Sequence, residues 1–271
     1  MTSDWTAATF DENFLRAEGL NFDARATAFD CDAIFGLLKL QPGQRVLDLA
    51  CGHGRHSLEL AQRGLGPLVG LDSSEAAIKL AVSRAAGTST VSFVLSDMRA
   101  LEFEAEFDAV FNVGNSLFYW DEATHQNILE RVARALKPGG LLFLDVYNRD
   151  RLVGDLAVKR HPAVRFYNRA RGIAGRVKRL FRPQKTRNPD RLRSSKTWNF
   201  DVETGVMHGV MRVEVSGGNT RETPIRTRLY TLTELRTLLE RSGFIFEQVT
   251  GFGGEPIQVF TPRFAVLARK A

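Results

Sequence analysis

Residues 46–56 read Val46-Leu47-Asp48-Leu49-Ala50-Cys51-Gly52-His53-Gly54-Arg55-His56, and this stretch decides the fold. An apolar run that holds one carboxylate passes into a turn with two glycines and then into a helical pattern. That order predicts a β-strand, a tight loop and the N-terminus of a helix. Glycine lets a backbone approach a ligand closely, and a helix N-terminus presents unpaired N–H groups to it. We therefore expect this loop to hold a ligand.

Two later strands are each followed by an acid. Asp72 follows the apolar run 67–71, twenty residues after Gly52, and Asp97 follows the run 91–95. A carboxylate in the first position can accept hydrogen bonds from two ribose hydroxyls. Carboxylates that point into a crevice at strand ends are costly unless they meet a ligand or water. Acids in this order therefore indicate a site for adenosine.

These acids and glycines, at these spacings, resemble those of the class I S-adenosylmethionine-dependent methyltransferases, over residues 43–147 and more weakly from 230 to the C-terminus. The resemblance implies an α/β fold, with a Rossmann-like, seven-stranded, mostly parallel sheet and helices on both faces. S-adenosylmethionine is then the cofactor, with Asp72 on the ribose and Asp97 on the adenine amino group. The full set of cofactor contacts that the resemblance implies is Asp48, Ala50, Cys51, Gly52, Gly54, Asp72, Ser73, Asp97, Met98 and Asn112.

A nicotinamide-dinucleotide enzyme is the main alternative for a glycine-rich turn between strand and helix. Its fingerprint is G-x-G-x-x-G, and the third glycine allows close helix packing beneath a pyrophosphate. Here Ser57 stands at the third position and Asp48 lies within the strand. Because S-adenosylmethionine has no phosphate, these differences favour the methyltransferase.

The stretch after the fourth predicted strand separates substrate classes. Adenine methyltransferases of nucleic acids in this fold carry Asn/Asp-Pro-Pro-Tyr/Phe here, but no proline follows Asn112. This lowers the expectation for base methylation. We instead expect a polar and aromatic rim at the acceptor, with Asn115 and Tyr119 as substrate-binding residues and Trp120 beside them. Tyr147, after the fifth strand, is our candidate catalytic residue because its position lets it touch the acceptor.

The chain departs from a minimal methyltransferase between the fifth strand and the last helix. Residues 196–230 alternate in polarity between turn-forming residues, which predicts an antiparallel β meander. We therefore divide the chain into a cofactor-binding domain, 1–150 and 231–271, and an inserted segment, 151–230. This insertion resembles small-molecule enzymes of the class, including bacterial sugar-amine and glycine N-methyltransferase-like proteins, in which an added sheet covers the acceptor pocket.

Residues 4–40 read as helical pieces that end before Pro42-Gly43. In the resembling family, N-terminal helices close over the cofactor, which makes Phe10, Phe14 and Arg16 candidates for a lid. A helix that simply packs on the edge of the sheet is the alternative that the pattern leaves open.

Positive charge is concentrated in one part of the insertion. Residues 159–193 contain thirteen Lys and Arg and one acid, a net charge of +12, whereas the whole chain carries +6 and the remainder therefore −6. Apolar residues at helical spacing within this segment predict a basic amphipathic helix. Such a helix can meet RNA, an anionic surface or an acidic partner, or it can steer an anionic acceptor. A solvated segment without a partner is equally compatible with the pattern.

Histidines and cysteines indicate neither a metal site nor a nucleophile. His53 and His56 lie in or just after the cofactor loop, where we expect them to shape the turn, and we expect His125 on a surface. No cluster of His, Cys, Asp and Glu has metal-ligand spacing, so we predict no metal. Two cysteines do not form a disulfide framework.

The leading hypothesis is methyl transfer from S-adenosylmethionine to nitrogen or oxygen of a small molecule. An RNA or protein methyltransferase that docks its substrate through 159–193 is the first alternative, and a non-catalytic cofactor-binding protein is the second. The N-terminus has no basic segment followed by an apolar core, and no run reaches membrane-spanning length. We therefore expect a cytoplasmic protein without a transmembrane segment, and the pattern leaves its oligomeric state open.

Overall fold

The computed structural model describes residues 5–17, 24–160, 194–214 and 219–271. Its main element is a seven-stranded sheet. The strands of this sheet are β1 (Val46–Leu49), β2 (Leu68–Asp72), β3 (Val91–Leu95), β4 (Phe107–Asn112), β5 (Leu136–Tyr147), β9 (Phe244–Gly251) and β10 (Arg263–Lys270). Their order is β3-β2-β1-β4-β5-β10-β9. Strands β1 to β5 are parallel, and β10 is antiparallel to both of its neighbours.

Helices cover both faces of this sheet. They are α1 (Trp5–Thr9), α2 (Glu12–Ala17), α3 (Ala24–Leu38), α4 (Arg55–Gln62), α5 (Glu75–Arg84), α6 (Glu122–Ala135), α7 (Arg149–Arg160) and α8 (Leu232–Arg241). One apolar layer packs α6 and α8 on the sheet through residues such as Leu129 and Leu238. The other packs α3 and α4 through Ile34 and Leu60. The predicted α/β architecture, with helices on both faces, is confirmed.

Local sequence sets where these helices begin. Ser74 accepts a hydrogen bond from the Ala77 N–H at the start of α5, and Asp121 accepts one from Thr124 at the start of α6. At α8, the Thr231 hydroxyl and the Glu234 carboxylate each accept from the other's backbone N–H, which is the predicted capping box. These side chains satisfy N–H groups that have no partner within the helix.

The insertion forms a separate three-stranded antiparallel sheet. Its strands are β6 (Ser194–Asp201), β7 (Val206–Glu214) and β8 (Thr220–Arg228), and they pair in chain order. The predicted meander is therefore confirmed. The basic segment falls largely within 161–193, outside the described residues, so its predicted helix lies there too.

The two N-terminal helices pack on this inserted sheet. Trp5 and Phe14 lie against a small apolar cluster whose buried members are Ala17, Met211, Val213 and Ile225. The Asp11 carboxylate pairs with both terminal nitrogens of Arg221 on β8, at 2.6 and 3.0 Å. The helices α1 and α2 are thereby joined to the insertion, and we refer to residues 5–17 as the lid.

The position of His125 differs from expectation. His125 is fully buried and not on the surface, because its Nε2 accepts from the Trp120 N–H at 3.1 Å and its Nδ1 lies 2.8 Å from the Tyr230 hydroxyl. Burial lowers the pKa of His125 to about 3. Strand β5 begins at Leu136, directly after α6, and its register with β4 shifts between Phe107 and Ala109. Within the described part of the chain, no helix has the length and apolar character to cross a membrane.

Candidate functional site

A cavity of about 390 Å³ lies at the carboxyl ends of the parallel strands, where ligands bind in open α/β sheets. The core, the lid and the inserted sheet all contribute to its wall. Among its lining residues are Phe10, Phe14, Ala50, Cys51, Gly52, His53, Arg55, His56, Asp72, Ser73, Asp97, Met98, Ser116, Tyr119, Trp120, Tyr147, Lys196 and Arg263. Most of the predicted site residues thus share one cavity.

The glycine loop after β1 takes a left-handed backbone path. Ala50, Gly52 and Gly54 have φ angles of +61°, +54° and +76°. A Cβ added at Gly54 would lie 2.5 Å from the Phe93 ring, so the position accepts only glycine without rearrangement. Ala50 has this left-handed backbone although it is not a glycine. Backbone strain of this kind is concentrated at ligand sites.

Asp72 is fixed by the loop that it faces. Its Oδ2 accepts a hydrogen bond from the Gly52 N–H and its Oδ1 accepts one from the Ser74 N–H, both at 2.8 Å. Burial raises the pKa of Asp72, although these two hydrogen bonds act to lower it. The carboxylate lines the cavity, and a carboxylate oxygen accepts more than one hydrogen bond, as a partner for two vicinal hydroxyls requires.

Three of the predicted cofactor residues stand behind the cavity wall. The Asp48 carboxylate is almost fully buried and accepts from the Ser57 hydroxyl at 2.7 Å, and its burial raises its pKa to about 7. Asn112 is also buried and donates from Nδ2 to the Leu49 carbonyl at 2.7 Å. Neither residue lines the cavity, nor does Gly54, so these three residues support the loop from behind.

Asp97 lines the cavity together with Met98, but its side chain already has a partner. Arg99 donates to it from Nε at 3.0 Å to each oxygen and from a terminal nitrogen at 2.5 Å. The Arg99 guanidinium lies 4.9 Å from the centre of the Trp120 ring. Arg99 could not be predicted as a site residue, because nothing in its spacing distinguishes it from a surface arginine.

Aromatic rings form the part of the wall nearest to the lid. The Tyr119 ring stacks on Phe10 at 5.8 Å and meets the edge of Trp5 at 5.2 Å, and Phe10 contacts Phe14 at 5.0 Å. Burial raises the pKa of Tyr119, so its hydroxyl stays protonated at neutral pH. Tyr147, predicted as the catalytic residue, also lines the cavity.

Asn115 is placed differently from the prediction that it binds substrate. It is 1% exposed and does not line the cavity. Its Oδ1 accepts from the Tyr147 N–H at 3.2 Å, and its Nδ2 donates to the Thr227 hydroxyl on β8 at 2.9 Å. The residue therefore connects the end of β5 with the inserted sheet, and its φ of +59° suits an asparagine.

A cluster of charged side chains that the sequence analysis did not bring together borders the cavity. Asp30 on α3 accepts hydrogen bonds from Arg55 at 2.7 Å, from His56 at 3.1 Å and from Arg263 at 3.0 Å. Arg263 also donates to Asp145 at 2.9 Å. The residues of this charged cluster come from α3, α4, β5 and β10. They are far apart in the sequence, so the cluster can be recognised only in the folded chain.

The charged cluster has unequal proton affinities. Burial alone would raise the pKa of Asp30, but its hydrogen bonds from His56, Arg55 and Arg263 hold it well below the usual range. Burial lowers the pKa of His56 to about 4. Burial raises the pKa of Asp145 to about 6, although Arg263 and the Gly114 N–H oppose this. Asp30 is therefore charged and His56 neutral at pH 7.

The described residues contain no group of three or more His, Cys, Asp and Glu that could hold a metal ion. Cys51 lines the cavity, but burial raises the pKa of its thiol well above the usual value, which leaves it a poor nucleophile. The chemistry of the site therefore depends on carboxylates, phenols, backbone N–H groups and arginines.

Comparison with known proteins identifies the domain. A family model described as a methyltransferase domain matches residues 46–140. YqeM of Bacillus subtilis, named as a methyltransferase, is 37% identical over 108 residues, which cover 38% of this chain and 42% of that protein. Mouse glycine N-methyltransferase is 31% identical over 132 residues, 43% of this chain and 45% of that one. The chain thus spans less than half the length of these relatives.

The fold also has close structural counterparts. The CcbJ methyltransferase of Streptomyces caelestis superimposes with a TM-score of 0.72 at 18% identity, covering 99% of both chains. This likeness includes the inserted region and concerns the fold alone. The matched domain and the architecture confirm the resemblance to class I S-adenosylmethionine-dependent methyltransferases seen in the sequence, and residues 46–140 of this chain form a methyltransferase domain.

Proposed function

We propose that this protein transfers a methyl group from S-adenosylmethionine to nitrogen or oxygen of a small-molecule acceptor. The observation that carries the proposal is the cavity at the carboxyl ends of the parallel strands. It has two strand-end acids, Asp72 and Asp97, and aromatic and polar side chains beneath a lid and an inserted sheet.

The residues present fit the cofactor. Asp72 would hold the ribose hydroxyls, with Ser73 beside it, and the backbone of Ala50, Cys51 and Gly52 would lie along the cofactor. Met98 and Asp97 would border the adenine. Gly54 supports this fit because a side chain there would collide with Phe93 and displace the loop.

The bound cofactor supplies a sulfonium methyl that is already electrophilic. The task left to the protein is therefore to orient the acceptor and to exclude water. The lid rings of Phe10 and Phe14 line the cavity and would shield the reacting groups from water. Tyr147 and Tyr119 would contact the acceptor, Tyr119 through a hydroxyl that burial keeps protonated. An uncharged amine acceptor needs only a route for its proton to reach solvent.

A small acceptor is favoured over a polymer because the lid, through Phe10 and Phe14, and the inserted sheet, through Lys196, both add to the wall of the cavity. A volume of about 390 Å³ lies in the range for small-molecule sites, roughly 300–1,000 Å³. The name of the mouse relative, glycine N-methyltransferase, also points to a small amine. We further propose that 151–230 acts as the substrate-covering unit between the two parts of the cofactor domain, 1–150 and 231–271.

The net charge of +12 over 159–193 supports one alternative, an RNA or protein substrate that docks there. Methyl-labelled S-adenosylmethionine would be incubated with a native extract and the protein, and the products would be separated by size with and without ribonuclease. Label in the small-molecule fraction is expected. Label in an RNase-sensitive or protein polymer would contradict the proposal in favour of docking.

The Asp72→Asn variant is the negative control for this labelling. If the wild-type protein binds S-adenosylhomocysteine but labels nothing, the second alternative, cofactor binding without catalysis, replaces the proposal.

A further inference from the structure

Arg263 stands where the charged cluster meets the cavity. It begins β10 and pairs in register with Tyr147 on β5, so both residues reach the cavity from neighbouring strands. Neither the cofactor motifs nor the proposed chemistry gives this arginine a task. Its surroundings nevertheless fix it more firmly than a surface arginine.

The guanidinium of Arg263 is held on three sides. One terminal nitrogen donates to Asp145 at 2.9 Å and the other to Asp30 at 3.0 Å. The side chains of these acids are 0% and 6% exposed. The guanidinium carbon lies 3.8 Å from the centre of the Phe252 ring, a stacking distance. The position and plane of the fork are therefore set before any ligand arrives.

Such an arrangement costs free energy, which is difficult to explain if its only role is to stabilise the fold. Removing two carboxylates from water costs several kcal/mol each, and apolar replacements of buried ion pairs are often neutral or stabilising. A fork held in place at the wall of a cavity instead favours a ligand-binding task.

Arg263 retains hydrogen-bond donors for a ligand. A guanidinium has five N–H donors, and the two described hydrogen bonds to Asp30 and Asp145 use two of them. The side chain is 29% exposed and lines the cavity. Two adjacent N–H groups of a planar fork match the two oxygens of a carboxylate better than any other common ligand group.

The charge of the wall supports a negative ligand group at this place. Among the described lining residues the acids are Asp72 and Asp97, while the cations are Arg55, Lys196 and Arg263.

We propose that Arg263 binds a carboxylate of a ligand in this cavity. Two ligands of the proposed reaction can supply that group: the methionyl part of the cofactor, or the acceptor. The inference rests on the proposed function, because it takes S-adenosylmethionine as the cofactor, but it assigns a new residue and a new chemical requirement.

The first arm of the test measures binding by calorimetry. The ligands are S-adenosylhomocysteine and its decarboxylated analogue, which retains the adenosine, the thioether and the amine. The variant Arg263→Lys keeps the positive charge and removes the fork. Arg269→Lys is the matched control, since Arg269 lies on the same strand and pairs with Glu247 at the exposed surface.

If the cofactor supplies the carboxylate, Arg263→Lys lowers the affinity for S-adenosylhomocysteine at least tenfold and the affinity for the analogue less than twofold. Arg269→Lys changes neither affinity. A variant that was merely less well folded would lose both ligands equally. Should Arg263→Lys prove unstable, the double variant Asp145→Asn with Arg263→Gln removes one charge of each sign and is measured in the same way.

The second arm applies if the variant binds both ligands as the wild type does. The labelled product from the extract is then passed over an anion exchanger at pH 7. A retained product, together with a KM for the acceptor raised at least tenfold in Arg263→Lys but not in Arg269→Lys, assigns the carboxylate to the acceptor. A product that is not retained, or an unchanged KM, overturns the proposal.

The experiments distinguish failure of the Arg263 assignment from failure of the proposed function. Equal loss of both ligands in a stably folded Arg263→Lys, or in the double variant, overturns the assignment of the arginine and leaves the proposed function intact. Failure of the wild type to bind S-adenosylhomocysteine overturns both. If the wild type binds this ligand but labels nothing, the first arm decides the arginine assignment alone, and a negative result there rejects it.

Discussion

The Gly52 N–H donates to the Asp72 carboxylate at 2.8 Å and so ties the first loop of the fold to the end of the second strand. The glycine that lets the backbone approach the cofactor and the acid that would bind the ribose therefore form one unit. A change in either residue acts on the position of the other.

Asp72→Ala should weaken S-adenosylhomocysteine by about 2 kcal/mol, since the ribose hydroxyls lose a charged acceptor and the Gly52 N–H loses its partner. Calorimetry measures the change directly. The matched control is Asp32→Ala, which removes an acid whose side chain is 69% exposed on α3. Unchanged affinity in Asp72→Ala would reject the ribose assignment.

Gly54→Ala should lower the free energy of unfolding by more than the cost of its left-handed backbone. That cost is about 1 kcal/mol, but a Cβ at Gly54 would also lie 2.5 Å from Phe93. Gly64→Ala is the control, because Gly64 has a similar φ of +84° and no atom within 4 Å of the added Cβ. Urea titration gives the loss in free energy of unfolding for each variant. The loss in Gly64→Ala reports backbone strain, and the additional loss in Gly54→Ala reports the collision with Phe93. Equal destabilisation would show that Phe93 moves aside freely.

Asp48 gives a pH dependence whose sign can be worked out. Its folded-state pKa, about 7, lies above the unfolded value of about 3.9, so the folded state binds the extra proton between these values. The stabilisation from this extra proton is full below the unfolded pKa, declines progressively as the pH rises towards 7, and is lost above the folded pKa. The free energy of unfolding of Asp48→Asn relative to wild type should rise by about 2 kcal/mol between pH 5 and pH 8.

The comparison between variants is needed because His56 and His125 act in the opposite direction. Their lowered folded-state pKa values make stability fall as the solution becomes acidic below about pH 6.5. Both histidines are present in wild type and in Asp48→Asn, so their effect cancels in the difference. A difference independent of pH would show that Asp48 is ionised in the folded protein near pH 5.

The ion pair between Asp11 and Arg221 holds the lid on the inserted sheet. Both side chains are about a third exposed, so Asp11→Asn should change the free energy of unfolding by less than about 1 kcal/mol. It should nevertheless speed release of S-adenosylhomocysteine a few-fold, because the lid covers the cavity. Stopped-flow displacement measures that rate. Glu222→Gln, which breaks a pair with Arg212 on the same sheet, should leave it unchanged.

Much of this site could be predicted because it is built from local sequence. The glycine loop and the acids after β2 and β3 are fixed by short motifs, and Asp72 and Asp97 line the cavity as those motifs indicate. The burial of Asp48 could not be predicted in the same way. A residue within a parallel strand faces one of two helical layers, and the pattern does not say whether its carboxylate reaches the ligand or Ser57.

The parts that could not be predicted depend on distant segments. Asp30 and Arg263 are separated by 233 residues and meet only because α3 packs beside the antiparallel edge of the sheet. His125 looked like a surface residue because nothing nearby in sequence shows Tyr230 as its partner. A single sequence carries no signal for contacts of this kind, since they are made by tertiary packing.

At Asn115, a mutation can separate the effect of the left-handed backbone from the effect of the side-chain hydrogen bonds. It connects the Tyr147 backbone with Thr227 of the inserted sheet, and it holds a left-handed backbone. Asn115→Gly keeps that backbone accessible and removes only the side chain. We expect methyl transfer to fall about tenfold, because misplacement of the groups around an acceptor is costly, while the affinity for S-adenosylhomocysteine stays within twofold.

The double-mutant cycle with Thr227→Val tests whether the hydrogen bond between the two side chains carries this effect. If it does, the double variant should be no slower than the slower single variant, since each change breaks the same link. Fully multiplicative losses would show that Asn115 acts through Tyr147 alone. A loss of cofactor affinity equal to the loss of rate would instead place Asn115 with the residues that hold the cofactor loop.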